Sequence, residues 1–112
     1  CALGGVVNDQ TLPQFKVELI VGGANNQLLE PRHGDLLEQR GIVYAPDYAA
    51  NAGGVINGGC REILGWGIPE TLAKTDAIYD TLLKIFTLAE REKIPTYQAA
   101  DRLAEERWQA PR

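Results

Sequence analysis

The apolar positions change their period along the chain. In Val17 to Val21 (VELIV) they crowd into a short run of branched side chains closed by Gly22-Gly23, which predicts a strand buried on both faces. Ile42 to Ala45 (IVYA), ended by Pro46, repeats that signal and predicts a second strand. Between them, Pro31 to Arg40 carries Leu36 and Leu37 on a helical stretch, and Gly41 stands where a left-handed C-terminal cap belongs. Strand, helix and strand at this spacing are the unit of a parallel sheet with a right-handed crossover.

A helical period then takes over. Ile78, Leu82, Ile85 and Ala89 recur at steps of four, three and four, which predicts one amphipathic helix from about Pro69 to Lys93, broken by Pro95. Ala100, Leu103, Ala104 and Trp108 line one side of a last helix that Thr96 can cap. Near the start, Thr11-Leu12-Pro13-Gln14 has the form of a capping box and predicts a short helix. With no repeat and no long linker, the expectation is one unit, α/β in its first half and helical in its second.

Composition narrows the classes of function. The chain has 112 residues, enough for one small domain and short for a two-domain enzyme. It opens with CALGG and contains no methionine, which reads as a fragment or a processed chain. A net charge of −4, with acids and bases interleaved, offers no basic stripe for nucleic acid or for a membrane surface. No apolar run approaches the roughly 20 residues of a bilayer span, and no secretory signal layout is seen, so a cytoplasmic location is expected. Cys1 and Cys60 lie far apart without a C-x-x-C pair, so two free thiols are expected rather than zinc or a disulfide.

In open parallel sheets, ligands bind beyond the carboxyl ends of the strands. Three segments fall at or near such positions: CALGG at the start, Gly22 to Gln27 (GGANNQ) and Pro46 to Val55 (PDYAANAGGV). Each is rich in small residues, which let a ligand approach the backbone, and the latter two add Asn or Gln, which can both donate and accept. Tight turns in a small α/β domain would account for the same composition.

CALGG, GGANNQL, GIVYAPDY, NAGGVIN, REILGW and AADRLAEER, in that order, resemble the C-terminal part of the amino acid dehydrogenases that act on leucine, valine and phenylalanine. The resemblance runs over nearly the whole chain. It implies that residues 1–112 are the second half of a Rossmann-type, NAD-binding domain followed by C-terminal helices. The implied reaction is NAD-dependent oxidative deamination of a branched-chain or aromatic L-amino acid to its 2-oxo acid and ammonia. The implied whole enzyme is a homo-oligomer.

The same resemblance assigns roles. Cys1, Ala2 and Leu3 match the loop whose backbone passes the nicotinamide ribose, and Asn51 matches the residue that reads the carboxamide. Asn25 matches a residue near the substrate's amino group. Val55 and Gly58 match the lining of the side-chain pocket. Where leucine enzymes typically carry valine, Gly58 enlarges that pocket, and REILGW looks more like the phenylalanine enzymes, while CALGGVVND looks more like leucine and valine enzymes. The family's catalytic lysines, catalytic aspartate and glycine-rich phosphate turn lie upstream, so no catalytic residue is assigned and the segment alone is expected to be inactive. A non-catalytic, truncated binding module is the competing reading, and paired lysines with a glycine-rich turn encoded upstream would decide against it.

Other residues receive plainer readings. His33, the lone histidine, reads as a surface residue, Asp47 as a cap of the helix that follows it, and Trp66 and Trp108 as packing residues. Glu90 to Lys93 (EREK) reads as a solvated helix face.

Overall fold

The computed structural model describes residues 3–111. Strand β1 (Leu19–Ile20) pairs in parallel with β2 (Val43–Tyr44), Leu19 opposite Val43 and Ile20 opposite Tyr44. Ile20 and Tyr44 turn into a core with Val7, Leu12, Leu37 and Ile42. The expectation that β1 is buried on both faces is corrected: Val17, Leu19, Val21 and Val43 are all about half exposed. Helix α1 (Pro31–Gln39) packs toward one side of the pair, and no described element covers the other. A further parallel bridge, Val7 to Leu28, ties the N-terminal segment beside the chain that leaves β1.

Helix α1 ends as the sequence predicts. Gly41 adopts φ 70°, its N–H reaches Glu38 O at 2.9 Å, and Ile42 N–H reaches Leu37 O at 3.0 Å. This is a Schellman cap, closed by contact between buried Leu37 and Ile42. Its start differs from expectation. His33 is fully buried, not a surface residue, because its ring completes a capping box in which Nδ1 accepts the Glu30 N–H at 3.0 Å. With Nδ1 an acceptor, Nε2 carries the proton and donates it to Asp9 Oδ1 at 3.2 Å.

Residues Leu12–Gln14 form a 3-10 turn, but not through the predicted box. The Thr11 hydroxyl donates to the Val6 carbonyl, and Asn8 Oδ1 takes the N–H groups of Gln10 and Thr11 at 2.9 and 3.0 Å. A short carboxamide just upstream meets those donors first.

After β2 come α2 (Asp47–Ala50), α3 (Gly53–Asn57) and a π-helical turn, Gly58–Ile63. Helix α4 (Ile68–Glu92) then runs 25 residues, ended by Lys93 in the left-handed region, and α5 (Thr96–Gln109) folds back on it. Ile85 and Ala89 of α4 meet Ala99 and Ala100 of α5, where small side chains let the axes approach. Pro95, not Thr96, holds the cap position of α5; the Thr96 hydroxyl instead donates to the Tyr44 carbonyl and anchors the helix to the end of β2. Against the expectation that both tryptophans pack, neither lies in the core: Trp66 is 41% exposed and Trp108 80%. Trp66 lies in the loop between the π-helical turn and α4, and Trp108 in the last turn of α5. Glu90 to Lys93 are exposed as predicted, with Glu92 bridging Arg91 and Arg102. Among the described residues, no helix is long and apolar enough to cross a membrane.

Candidate functional site

Parallel pairing makes both strands end on the same side, so the loops after β1 and β2 emerge together. The chain leaves β2 through buried Pro46 into the single turn of α2, which Asn51 closes. Asn51 Nδ2 donates to Asn25 Oδ1 at 2.7 Å and to the Gly23 carbonyl at 3.2 Å. Asn26 supplies the bend of the first loop at φ 54°, a conformation asparagine tolerates better than most residues. The N-terminal segment lies against that loop. Gly5 N–H donates to Asn26 O at 2.7 Å, and a Cβ on Gly4 would stand 3.1 Å from Asn25 O, so glycine is what lets the two backbones meet this closely. The three segments singled out in the sequence therefore converge.

Beneath the asparagines lies a buried acid. Asp47, 5% exposed, accepts the Gln27 N–H on Oδ2 at 3.0 Å and the Tyr48 N–H on Oδ1 at 2.7 Å. The reading of Asp47 as a helix cap is thus corrected: Pro46 holds the cap position, and the carboxylate, on the first residue of α2, spans the two loops. The Tyr44 phenol lies close by, 3.4 Å from Asp47 N; burial, with the Asp47 charge added, pushes it up to about 12. Tyr48 is raised as well, by burial and by its hydroxyl's 2.8 Å bond to Asp101. Gln27 is fully buried, its Nε2 on the Ala24 carbonyl at 2.8 Å and its Oε1 without a partner among the described residues. Sequence reasoning missed this layer. The only signal was the Pro46-Asp47 step, which also fits a cap.

The remaining candidates stand apart. Leu3 is 76% exposed, and Cys1 and Ala2 lie outside the described residues. Val55 is 81% exposed on α3, and Gly58, three residues on, opens the π-helical turn with nothing within 4 Å of where its Cβ would be. No hydrogen bond among the described residues ties Leu3, Val55 or Gly58 to the asparagine pair. A groove of about 440 Å³ runs between α3, α4 and α5, lined by Ile56, Ile78 and Leu103, and neither Asn25 nor Asn51 borders it.

Residues 1–62, more than half of the chain, match the profile of the Glutamate/Leucine/Phenylalanine/Valine dehydrogenase family. The chain belongs to that family. Among its relatives, a leucine dehydrogenase of Geobacillus stearothermophilus is 57% identical over 107 residues, which are 96% of this chain and 29% of that enzyme. A phenylalanine dehydrogenase of Thermoactinomyces intermedius is 55% identical over 107 residues, with the same coverage of 96% and 29%. The crystal structure of an L-tryptophan dehydrogenase from Nostoc punctiforme superposes with a TM-score of 0.90 at 44% identity, covering 96% of this chain and 32% of that one. This member of the family thus spans less than a third of the length of these three relatives, and its mixed α/β fold around a small parallel sheet superposes on part of the tryptophan dehydrogenase.

Proposed function

We propose that residues 1–112 are the second half of the Rossmann-type domain of an NAD-dependent dehydrogenase that oxidatively deaminates a branched-chain or aromatic L-amino acid. The observation that carries this reading is the hydrogen-bonded pair Asn25 and Asn51 beyond the ends of the two parallel strands. Its donor set fits a carboxamide. Asn51 uses Nδ2 on its neighbours, which leaves its Oδ1 to accept an N–H, while Asn25 keeps Nδ2 and the second lone pair of Oδ1. In this reading Asn51 Oδ1 takes the carboxamide N–H of the cofactor, and Asn25 Oδ1 accepts from the substrate's amino group. The backbone from Cys1 to Leu3 would flank the nicotinamide ribose. A nicotinamide ring, when bound, accepts a hydride from the substrate's α-carbon.

The part played by this segment is orientation. The mutual bond fixes both asparagine side chains before a ligand arrives, which lowers the ordering cost of binding. Val55, exposed, and Gly58, one helical turn on with open space where a Cβ would stand, suit the lining of a side-chain pocket, with glycine leaving room for an aromatic ring. Leucine and phenylalanine dehydrogenases among the relatives, and a tryptophan dehydrogenase among the structures, support that range. A cytoplasmic homo-oligomer is part of the proposal.

The test is turnover by the intact polypeptide that carries this segment. NADH formation at 340 nm with L-leucine, L-valine, L-phenylalanine or L-tryptophan is the expected result. Absence of turnover with all four, in a folded protein that binds no NAD, would leave the binding-module alternative standing.

A further inference from the structure

The carboxylate under the asparagine pair has no task in the chemistry proposed above, yet it is buried and both of its oxygens are engaged. Asp47 Oδ2 holds the N–H of Gln27, twenty positions earlier in the chain, and Oδ1 holds the N–H of Tyr48 at the start of α2. Gln27 closes the loop that carries Asn25 through its own bond to the Ala24 carbonyl, and α2 ends at Asn51. The two loops are thus joined at two levels, by Asp47 below and by the Asn51 to Asn25 bond above. No cation pairs with Asp47 among the described residues, so the acid is matched to backbone donors alone. Charge-assisted bonds to N–H groups are shorter and stronger than neutral ones. An asparagine of the same shape would turn an NH2 toward one of the two N–H groups and push that loop away.

We infer that Asp47 is a positioning residue, which sets the separation of Asn25 and Asn51 by clamping the loop after β1 to the helix after β2. This rests on the reading of the pair as the site of hydride transfer. Asp47 touches neither substrate nor cofactor in it. Its effect passes through the placement of the two amides, and a misplacement of about 1 Å in a reacting geometry slows chemistry by as much as about 100-fold.

The experiment uses the intact polypeptide with Asp47→Asn and, as a better-tolerated second variant, Asp47→Ser, which keeps one acceptor for the start of α2 but cannot span both donors. Single-turnover hydride transfer at saturating NAD and amino acid is measured per folded site, beside NAD affinity and a crystal structure of each variant. The expected result is a rate about 10- to 100-fold lower, NAD affinity changed by less than about threefold, and an Asn51 Nδ2 to Asn25 Oδ1 separation lengthened beyond hydrogen-bonding distance. An unchanged rate per folded site, or an unchanged separation, overturns the inference. So does failure of both variants to fold, which would assign Asp47 to folding alone. If the wild type oxidises no amino acid, the functional reading fails, while the crystallographic separation still judges the clamp.

Discussion

At the scale of single residues, His33 shows why roles in this chain are decided by partners distant in sequence. Its neighbours are Pro31, Arg32, Gly34 and Asp35, a polar helix start that reads as surface; Asp9, which comes from a different turn of the chain, helps make its burial tolerable. Asp9 also meets Arg32 through two bonds, at 2.8 and 2.5 Å. The hydrogen bond from Arg32, helped by His33, holds the Asp9 carboxyl at about 2, below its ordinary 3.8. The folded value is the lower one, so this interaction stabilises the fold fully above pH 3.8 and is lost as the pH falls through about 2. A carboxyl titration followed by NMR should find Asp9 near the lower value, and Arg32→Ala should return it toward the ordinary one; an Asp9 that titrates normally in the wild type contradicts the pairing. Gly58 is a second residue-scale case. Its backbone is helical at φ −61°, with open space where a Cβ would stand, so valine fits there without strain. Gly58→Val in the intact enzyme should raise the ratio of kcat/KM for leucine over phenylalanine by about tenfold with Tm unchanged, since a few methylenes of pocket volume carry discrimination of that size. A ratio that stays put removes Gly58 from the pocket.

At the scale of elements, the helices were legible and the strands less so. The end of α1 is written in adjacent residues, Leu37 to Ile42, because a Schellman cap is a local structure, and α4 is long enough for its period to speak without context. The strand runs gave their positions but not their burial, which depends on whatever lies over the second face. Caps misled where a side chain had a more distant acceptor: Thr96 reaches Tyr44 rather than its own helix, and Thr11 reaches Val6. The seam between α1 and α5 depends on one missing side chain. A Cβ on buried Gly34 would fall 2.5 Å from Cδ1 of Tyr97, whose hydroxyl donates to Asp35 Oδ1 at 3.0 Å. Gly34→Ala must therefore displace a ring, against its small gain in helix propensity, and should destabilise the intact protein by about 1 to 3 kcal/mol. Chemical denaturation of wild type and variant measures this, and a variant as stable as the wild type would mean that the helices part without cost.

At the scale of the molecule, the meeting of the loops after β1 and β2 was legible because the ends of parallel strands gather there whatever the sequence of the loops, and the N-terminal segment joins them through Gly4 and Gly5. The layer beneath them was not, since nothing in the order of residues tells that the carboxylate of Asp47 will meet the backbone of Gln27. The exposed side of the sheet and the row Val55, Ile63, Leu64, Ile68 and Leu72 form apolar surface that a monomer of this size rarely presents. The 112-residue segment purified alone should self-associate and melt without a cooperative transition; a monomer in sedimentation with a sharp calorimetric melt would contradict that expectation. A comparison of two cofactors isolates the contact proposed for Asn51. The 3-acetylpyridine analogue of NAD keeps the carbonyl and lacks the NH2 that Asn51 Oδ1 is proposed to receive. In the intact wild type, kcat/KM corrected for the analogue's intrinsic reactivity should favour NAD, and Asn51→Ala should abolish that preference, a coupling of about 1 to 3 kcal/mol. A preference equally large in the variant would mean that Asn51 only joins two loops and does not hold the carboxamide.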